Sequence, residues 1–362
     1  RHTRSCLKSR GLGDVYKRQL AEVIEGLLDF LQVEPELIVA DAHPDYPSSW
    51  LARDLGERCG TEVLPVQHHL AHAAAVLGEH DRFPSDGERC LGIALDGTGW
   101  GPDGTAWGGE WLSLGGDLEW QRLAHLEPLP LVGGEAAVRE PWRVAVAALV
   151  GQGEGQLIAS TPMAAQIDEE RLETMLRLAG QTNWMLASGA GRVFEAAGAL
   201  LGVGEVNRWE GEAAARLEAL ASRASDRPRP WPAVEIEVRD DKLLMPSSKM
   251  LVEVAGRVAE GEAPASVAAG FHVTFCSLAA DLTNRVAGDA RGVVALGGGC
   301  AVNRMLCSDI SENLEKLGFE VLLPRNVPPG DGGLSYGQAV IGTVSAARGV
   351  KPRQTDVKTL KR

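Results

Sequence analysis

The sequence lacks any Cys-x-x-Cys pair. Its six cysteines, Cys6, Cys59, Cys90, Cys276, Cys300 and Cys307, are scattered, which excludes a zinc ribbon or a thioredoxin-type site and points to a reducing, cytoplasmic setting. No apolar run reaches the roughly 20 residues that span a bilayer, and no signal-peptide pattern opens the chain. Basic residues are outnumbered, 36 against 49, for a formal net charge of −13. That balance excludes a protein whose whole surface binds nucleic acid or anionic lipid, while leaving room for a local basic patch. Internal repeats and low-complexity tracts are also missing. What remains is ordinary globular composition, with 44% hydrophobic and 23% charged residues over 362 positions. That length suits two domains or one large two-lobed fold.

The opening "RHTRSCLKSRGLGDVYKRQ" is basic and aperiodic, so residues 1–19 read as a non-native or disordered leader, with a native basic tail as the alternative. Amphipathic sequence begins at residue 20. A short buried strand then ends at Asp41, a helix follows from about Trp50, and "EVLPVQ" is a second strand. "CLGIALDGTGWGPDGTAWGGEWLSL" reads as strand, glycine-rich turn and strand. Helices are predicted near 139–150, 168–179, 188–201, 209–223, 247–260 and 265–287, with a hairpin at "AVEIEVRDDKLLM". A strand–helix–strand–helix run closes the chain, giving an α/β class.

Four places carry chemistry. In "PVQHHLAHAAAVLGEH", His68 and His72 stand four apart, which on a helix sets two imidazoles on one face as a metal site requires. A polar first turn without ligands is the alternative for His68, His69 and His72. Asp96 ends a buried strand and is followed by Gly97, Thr98 and Gly99, a pattern that suits either phosphate binding or a tight turn. Gly297, Gly298 and Gly299 end a strand and open a helix that carries Asn303. They admit a flat ligand close to the backbone or simply start the helix. Asp331, between prolines and glycines, is either a helix cap or a hard cation ligand.

Taken in order, QHH-x-AH, LDGTGWGPDGTAWGGE, HLEP-x-PL-x-GGE-x-A-x-REPWR, SGAGR-x-F, WEGEAA, GGG-x-x-x-N and VPP-x-DGG-x-x-x-GQA resemble the HypF family of [NiFe]-hydrogenase maturation carbamoyltransferases. The resemblance runs from about residue 20 to 348. It implies an actin-like, two-lobed ATPase fold with a nucleotide cleft between lobes, residues 20–125 forming the first lobe and 126–348 the second, with a basic tail at 349–362. It also implies a metal (zinc, iron or magnesium) held by His68, His72 and Asp331 with Asp96 close by. Arg139, Arg143, Arg192 and His125 would hold the anionic carbamoyl donor. The nucleotide would lie on Gly97, Thr98, Gly99, Gly297, Gly298, Gly299 and Asn303, with Glu195 and Glu210 toward the ribose. The implied chemistry uses ATP and carbamoyl adenylate, and passes the carbamoyl group to the C-terminal cysteine thiol of a HypE-type partner. Neither membrane nor nucleic acid is an expected partner.

Some positions depart from the family pattern. Glu195 replaces an aspartate, Val273 an asparagine, and Leu70 a third histidine. "GGGCAVN" replaces S-G-G-V-F-Q-N. Acylphosphatase-like, zinc-binding and adenylate-forming regions, and the first hairpin of the actin-like lobe, are not seen in this sequence, so the chain reads as the C-terminal part of a longer protein. The competing readings are a stand-alone O-carbamoyltransferase, a tRNA threonylcarbamoyl-adenosine transferase, and an inert nucleotide-binding module.

Overall fold

The computed structural model describes residues 18–240 and 242–355; nearly all of the expected leader and the end of the basic tail lie outside them. Helix α1 covers residues 18–31. It is followed by β1 (Ile38–Asp41), α2 (Pro47–Cys59), β2 (Val63–Val66), α3 (His68–Glu79), β3 (Arg89–Trp100), β4 (Ala106–Gly115) and β5 (Glu119–Leu126). The middle contains β6 (Leu129–Pro130), α4 (Glu135–Arg139), α5 (Trp142–Gly151), α6 (Glu169–Ala179), β7 (Leu186–Ala187), α7 (Ala190–Leu200), α8 (Glu212–Ala221), the hairpin β8 (Glu237–Arg239) and β9 (Lys242–Met245), α9 (Ser247–Ala259) and α10 (Pro264–Ala287). The chain closes with β10 (Val293–Gly297), α11 (Arg304–Lys316), β11 (Glu320–Leu322), α12 (Leu334–Arg348) and β12 (Arg353–Gln354).

The main sheet is mixed, in the order β11-β10-β3-β4-β5-β9-β8, and β1 and β2 form a separate parallel pair. Alternation along the strands explains why the main sheet has helices on both faces. Ala295 of β10 and Leu112 and Leu114 of β4 face α3 and α12. Val294, Leu296 and Trp111 face the opposite way, onto a larger core built from α5, α7, α9, α10 and α11. The alanines of α3 allow tight packing: a Cβ on Gly337 of α12 would collide with the Ala71 carbonyl, so the two helices meet at backbone distance. Helix α10 has the length and apolar composition to cross a membrane, but most of it is buried in the larger core.

Two expectations are corrected. The glycines after Asp96 do not turn the chain: β3 continues through them to Trp100, with a register shift between Leu95 and Gly99, and the reversal comes only after Trp100. The helix expected over 139–150 is broken between α4 and α5. Pro141 has no N–H and constrains the residue before it, and Glu140 leaves helical geometry at φ −118°, ψ 80°.

A buried ion pair ties the sheet to the loop before α7. Arg122 Nε donates to Glu110 Oε2 at 2.5 Å, and the guanidinium lies 3.9 Å above the Trp107 ring. Glu110 Oε1 accepts from Ser188 Oγ at 2.6 Å and from the Gly108 N–H at 3.0 Å. Burial would raise the Glu110 carboxyl, but Arg122 overrides it and holds the pKa at about 2. A carboxyl depressed in the folded state contributes stability above its unfolded value, and that contribution is lost as pH falls through the folded value. We therefore expect Glu110→Gln to lower stability at pH 7 by about 3 kcal/mol or more. It should also flatten the dependence of stability on pH between the ordinary carboxylate range and about 2. Urea unfolding at a series of pH values checks this, and equal slopes for both proteins would contradict it.

Candidate metal centre and adjoining cleft

Three separate segments bring ligands to one point. Gln67 caps α3 by accepting the Leu70 N–H through its side chain, which starts the helix at His68 and puts His68 and His72 on one face of its first turns. Asp96 comes from the bulged end of β3, and Asp331 from a short turn before α12. His68 Nε2 lies 3.3 Å from Asp96 Oδ2 and 3.5 Å from Asp331 Oδ1. The matching distances from His72 Nε2 are 3.6 and 3.7 Å. One ligand atom from each of the four residues lies within 4.8 Å of the others. Both Nε2 atoms are buried and have no partner of hydrogen-bond quality among the described residues. Two orphaned imidazole nitrogens facing two carboxylate oxygens fit a divalent transition metal such as zinc or iron better than magnesium, which prefers oxygen.

Asp41, read from sequence only as a strand end, is part of this centre. Its Oδ2 lies 2.8 Å from His68 Nδ1, and both side chains are buried. A proton on Nδ1 leaves the Nε2 lone pair aimed at Asp96 and Asp331, which is how a carboxylate orients a metal-binding histidine. Burial opposes charge on His68, but Asp331, Asp41 and Asp96 together outweigh it and lift its pKa to about 12. Burial likewise opposes ionisation of Asp96, and the imidazoles of His68 and His72 hold it well below the usual carboxylate range. The cluster thus demands positive charge, supplied by a proton on His68 or by a cation that displaces it.

His69 points elsewhere. Its Nδ1 lies 3.0 Å from Gln67 Nε2, and burial pushes its pKa down to about 3, so the ring is neutral. It rests on Gly99, where an added Cβ would come within 2.6 Å of the ring. Gly99 therefore serves the packing of the histidine turn.

A cleft of about 350 Å³ adjoins the cluster and shares Asp96 and Asp331 with it. Of the residues expected at a nucleotide, Gly97, Arg192, Glu195, Glu210, Gly299 and Asn303 line this cleft. Thr98, Gly99, Gly297 and Gly298 are not in its wall. Gly298 adopts φ +94°, and a Cβ there would strike the Leu95 carbonyl, so this glycine lets β10 leave the sheet beside β3. Asp96 is shared atom by atom: Oδ2 faces the imidazoles and Oδ1 accepts the Gly299 N–H at 3.1 Å. Glu195 is already engaged, 2.8 Å from Arg192 Nη1 and accepting from Asn207 Nδ2 at 2.8 Å. Exposed Trp209, which opens the WEGEAA block but was assigned no role from sequence, also lines the cleft.

Arg139 and Arg143 are not among the cleft residues. Arg139 is exposed, and Arg143 pairs with Glu140 at 2.6 Å beside Trp142. His125 is buried, with Nδ1 against the Leu126 carbonyl, and burial followed by the nearby Arg122 charge pushes its pKa down to about 4. A neutral buried imidazole does not serve as an anion-binding charge.

Residues 92–338 match the family model for the second subdomain of the carbamoyltransferase Kae1-like domain, and residues 6–79 match the HypF Kae1-like domain. The chain belongs to the HypF carbamoyltransferase family. A carbamoyltransferase HypF homolog from Cupriavidus necator is 39% identical over 342 residues, covering 92% of this chain and 84% of that one. HypF of Rhizobium leguminosarum bv. viciae is also 39% identical, over 88% of this chain but only 39% of its own length. The crystal structure of full-length HypF in the phosphate- and nucleotide-bound form superposes with a TM-score of 0.78 at 33% identity, covering 89% of this chain and 40% of that one. HypF of T. kodakarensis gives 0.80 at 30% identity, covering 92% and 44%. The chain thus spans most of the short C. necator homolog and well under half of the longer HypF proteins.

The geometry assigns distinct outcomes to two substitutions. His72→Ala removes a ligand nitrogen and should abolish stoichiometric metal, measured by elemental analysis after dialysis. Asp41→Asn leaves every ligand in place and should weaken metal affinity by roughly 10–100-fold in a competition titration, the usual effect of losing a carboxylate behind a ligating histidine. Wild-type metal content in His72→Ala, or wild-type affinity in Asp41→Asn, would contradict this centre.

Proposed function

We propose that this chain carries the transfer centre of a HypF carbamoyltransferase: it binds carbamoyl adenylate and passes the carbamoyl group to the C-terminal cysteine thiol of a HypE-type maturation partner. The observation that carries this reading is the sharing of Asp96 and Asp331 between the cleft and the imidazole cluster. An adenosine in the cleft has its phosphate end directed at the place where a cation is held. That cation would supply charge to the phosphate oxygens of the donor.

The chain's own groups do the positioning. Asp41 fixes the His68 ring, the Gln67 cap sets the start of the histidine helix, and the Asp96–Gly299 bond fixes the cleft wall against the cluster. Arg192 is nine-tenths buried, and its Nε has no partner among the described residues. This supports a charge-assisted contact to the donor's anionic end. The cleft takes Asp96 and Gly97 from β3 and the rest of its wall from residues 191–331, and β3 and β10 are neighbours in one sheet, so the main sheet runs across the expected boundary between residues 125 and 126. All five cysteines among the described residues are free thiols, in keeping with a cytoplasmic setting.

The test supplies carbamoyl adenylate and a peptide ending in cysteine. Mass spectrometry should show one carbamoyl group on the terminal cysteine in the presence of the metal-loaded chain. A peptide ending in serine should remain unmodified. An unmodified cysteine peptide, with nucleotide binding intact by calorimetry, would contradict transfer to a thiol.

A further inference from the structure

His272 is a polar side chain with no assigned role, fully buried in the larger core on α10. Its ring meets Phe194 and Phe271 edge-on, with centroids 5.3 and 6.0 Å apart. Nδ1 lies 2.8 Å from the Ala268 carbonyl oxygen, which can only accept, so Nδ1 carries a proton. Burial lowers the pKa of the ring, which is therefore neutral, and Nε2 is left with a bare lone pair. That lone pair faces Asn303 Nδ2 at 3.2 Å. A backbone carbonyl thus fixes the tautomer, and the tautomer fixes which end of the Asn303 amide His272 accepts.

Asn303 caps α11, its Oδ1 accepting the Leu306 N–H at 2.9 Å. The two bonds hold the amide from both ends. Turning it over would set oxygen against the Nε2 lone pair and an NH2 group against the Leu306 N–H, losing both. The cap needs only an oxygen, which aspartate or serine would supply equally well. It calls neither for the NH2 group nor for a buried histidine behind it. The capping oxygen is engaged and one N–H goes to His272. What Asn303 has left for the cleft it lines is its second N–H, a donor with no acceptor among the described residues. Phe194, Val302 and Leu306 line the same cleft, and an apolar wall around one donor suits a flat base with ring-nitrogen acceptors.

We propose that His272 is a positioning residue for base recognition: by accepting one amide N–H of Asn303, it sets the other to donate to a ring nitrogen of the adenine in the cleft. The assignment deepens the adenosine reading above and rests on it. Without an acceptor behind it the amide is free to turn over, and a turned amide would meet the base nitrogen with an oxygen, two acceptors face to face. His272 touches neither the donor phosphate nor the metal cluster in this scheme. It contributes to affinity and to the choice of base.

Calorimetry with AMP and its 1-, 3- and 7-deaza analogues, each lacking one ring nitrogen, reads the contact atom by atom. Wild type should bind AMP and lose about 5–20-fold in affinity for one of the three analogues. His272→Phe keeps a ring of similar shape between Phe194 and Phe271 but offers no acceptor. It should bind AMP about 5–20-fold more weakly and no longer distinguish that analogue from AMP. His272→Gln restores an acceptor through its carbonyl oxygen and should recover affinity and preference to within about threefold of wild type. A role in packing alone would be met better by phenylalanine than by glutamine. A measurement on the wild type covers the case in which the variants do not fold. Long-range proton–nitrogen spectra should show His272 neutral with its proton on Nδ1, and the Asn303 side-chain amide signals should move on adding AMP. Equal binding of all four ligands by wild type, a His272→Phe protein that keeps the preference, a proton on Nε2, or amide signals that ignore bound AMP would overturn the assignment while leaving adenosine in the cleft. No binding of AMP by wild type would overturn it together with the adenosine reading.

Discussion

Two imidazole nitrogens lie buried, facing two carboxylates, and neither nitrogen has a hydrogen bond of good geometry among the described residues. Unpaired buried polar atoms are costly, so this arrangement persists only because the surrounding structure fixes each group separately. Gln67 fixes where the helix begins, Asp41 fixes the His68 ring, and the bulge in β3 sets Asp96 against the Gly299 N–H. Gly99 and Gly337 are the points at which neighbouring segments come close enough for this to happen. A cation would complete the cluster, and the fold around it holds these four ligand atoms together.

Because Asp96 gives one oxygen to the imidazoles and the other to the turn that walls the cleft, a metal in the cluster and a ligand in the cleft would not be independent guests. Any shift of the β10–α11 turn on filling the cleft would act directly on a candidate metal ligand, and linkage requires the reverse as well. The buried Glu110–Arg122 pair has a complementary role. It ties Gly108 and Gly109 to Ser188, and so keeps the start of α7, with Arg192, fixed against β3.

The parts legible in the sequence were those with a period. His68 and His72 follow the helical repeat, and β10 followed by glycines and then α11 follows the buried-strand pattern, so the pairing of the two imidazoles on one helix face and one wall of the cleft were foreseeable. The rest depended on contacts between distant residues. Asp41 looks like any strand terminus until it meets a histidine 27 positions later. A glycine that admits a phosphate and a glycine that admits a neighbouring part of the protein look identical in sequence. Gly99 and Gly298 proved to be the second kind, Gly299 to face the cleft. Arg139 and Arg143 stood in a family-specific block, yet one is exposed and the other is paired with Glu140. The two-residue strands β6, β7 and β12 are too short to show any alternation.

The central claim is that the histidine helix, the end of β3 and the Asp331 turn form one metal centre at the mouth of a nucleotide cleft. Anomalous diffraction at the zinc edge, from crystals soaked with zinc and AMP, tests it most directly. The account predicts one strong peak bounded by His68 Nε2, His72 Nε2, Asp96 and Asp331, with the AMP phosphate beside it and the adenosine in the cleft. Zinc found only at surface carboxylates, or AMP ordered away from the cluster, would contradict it.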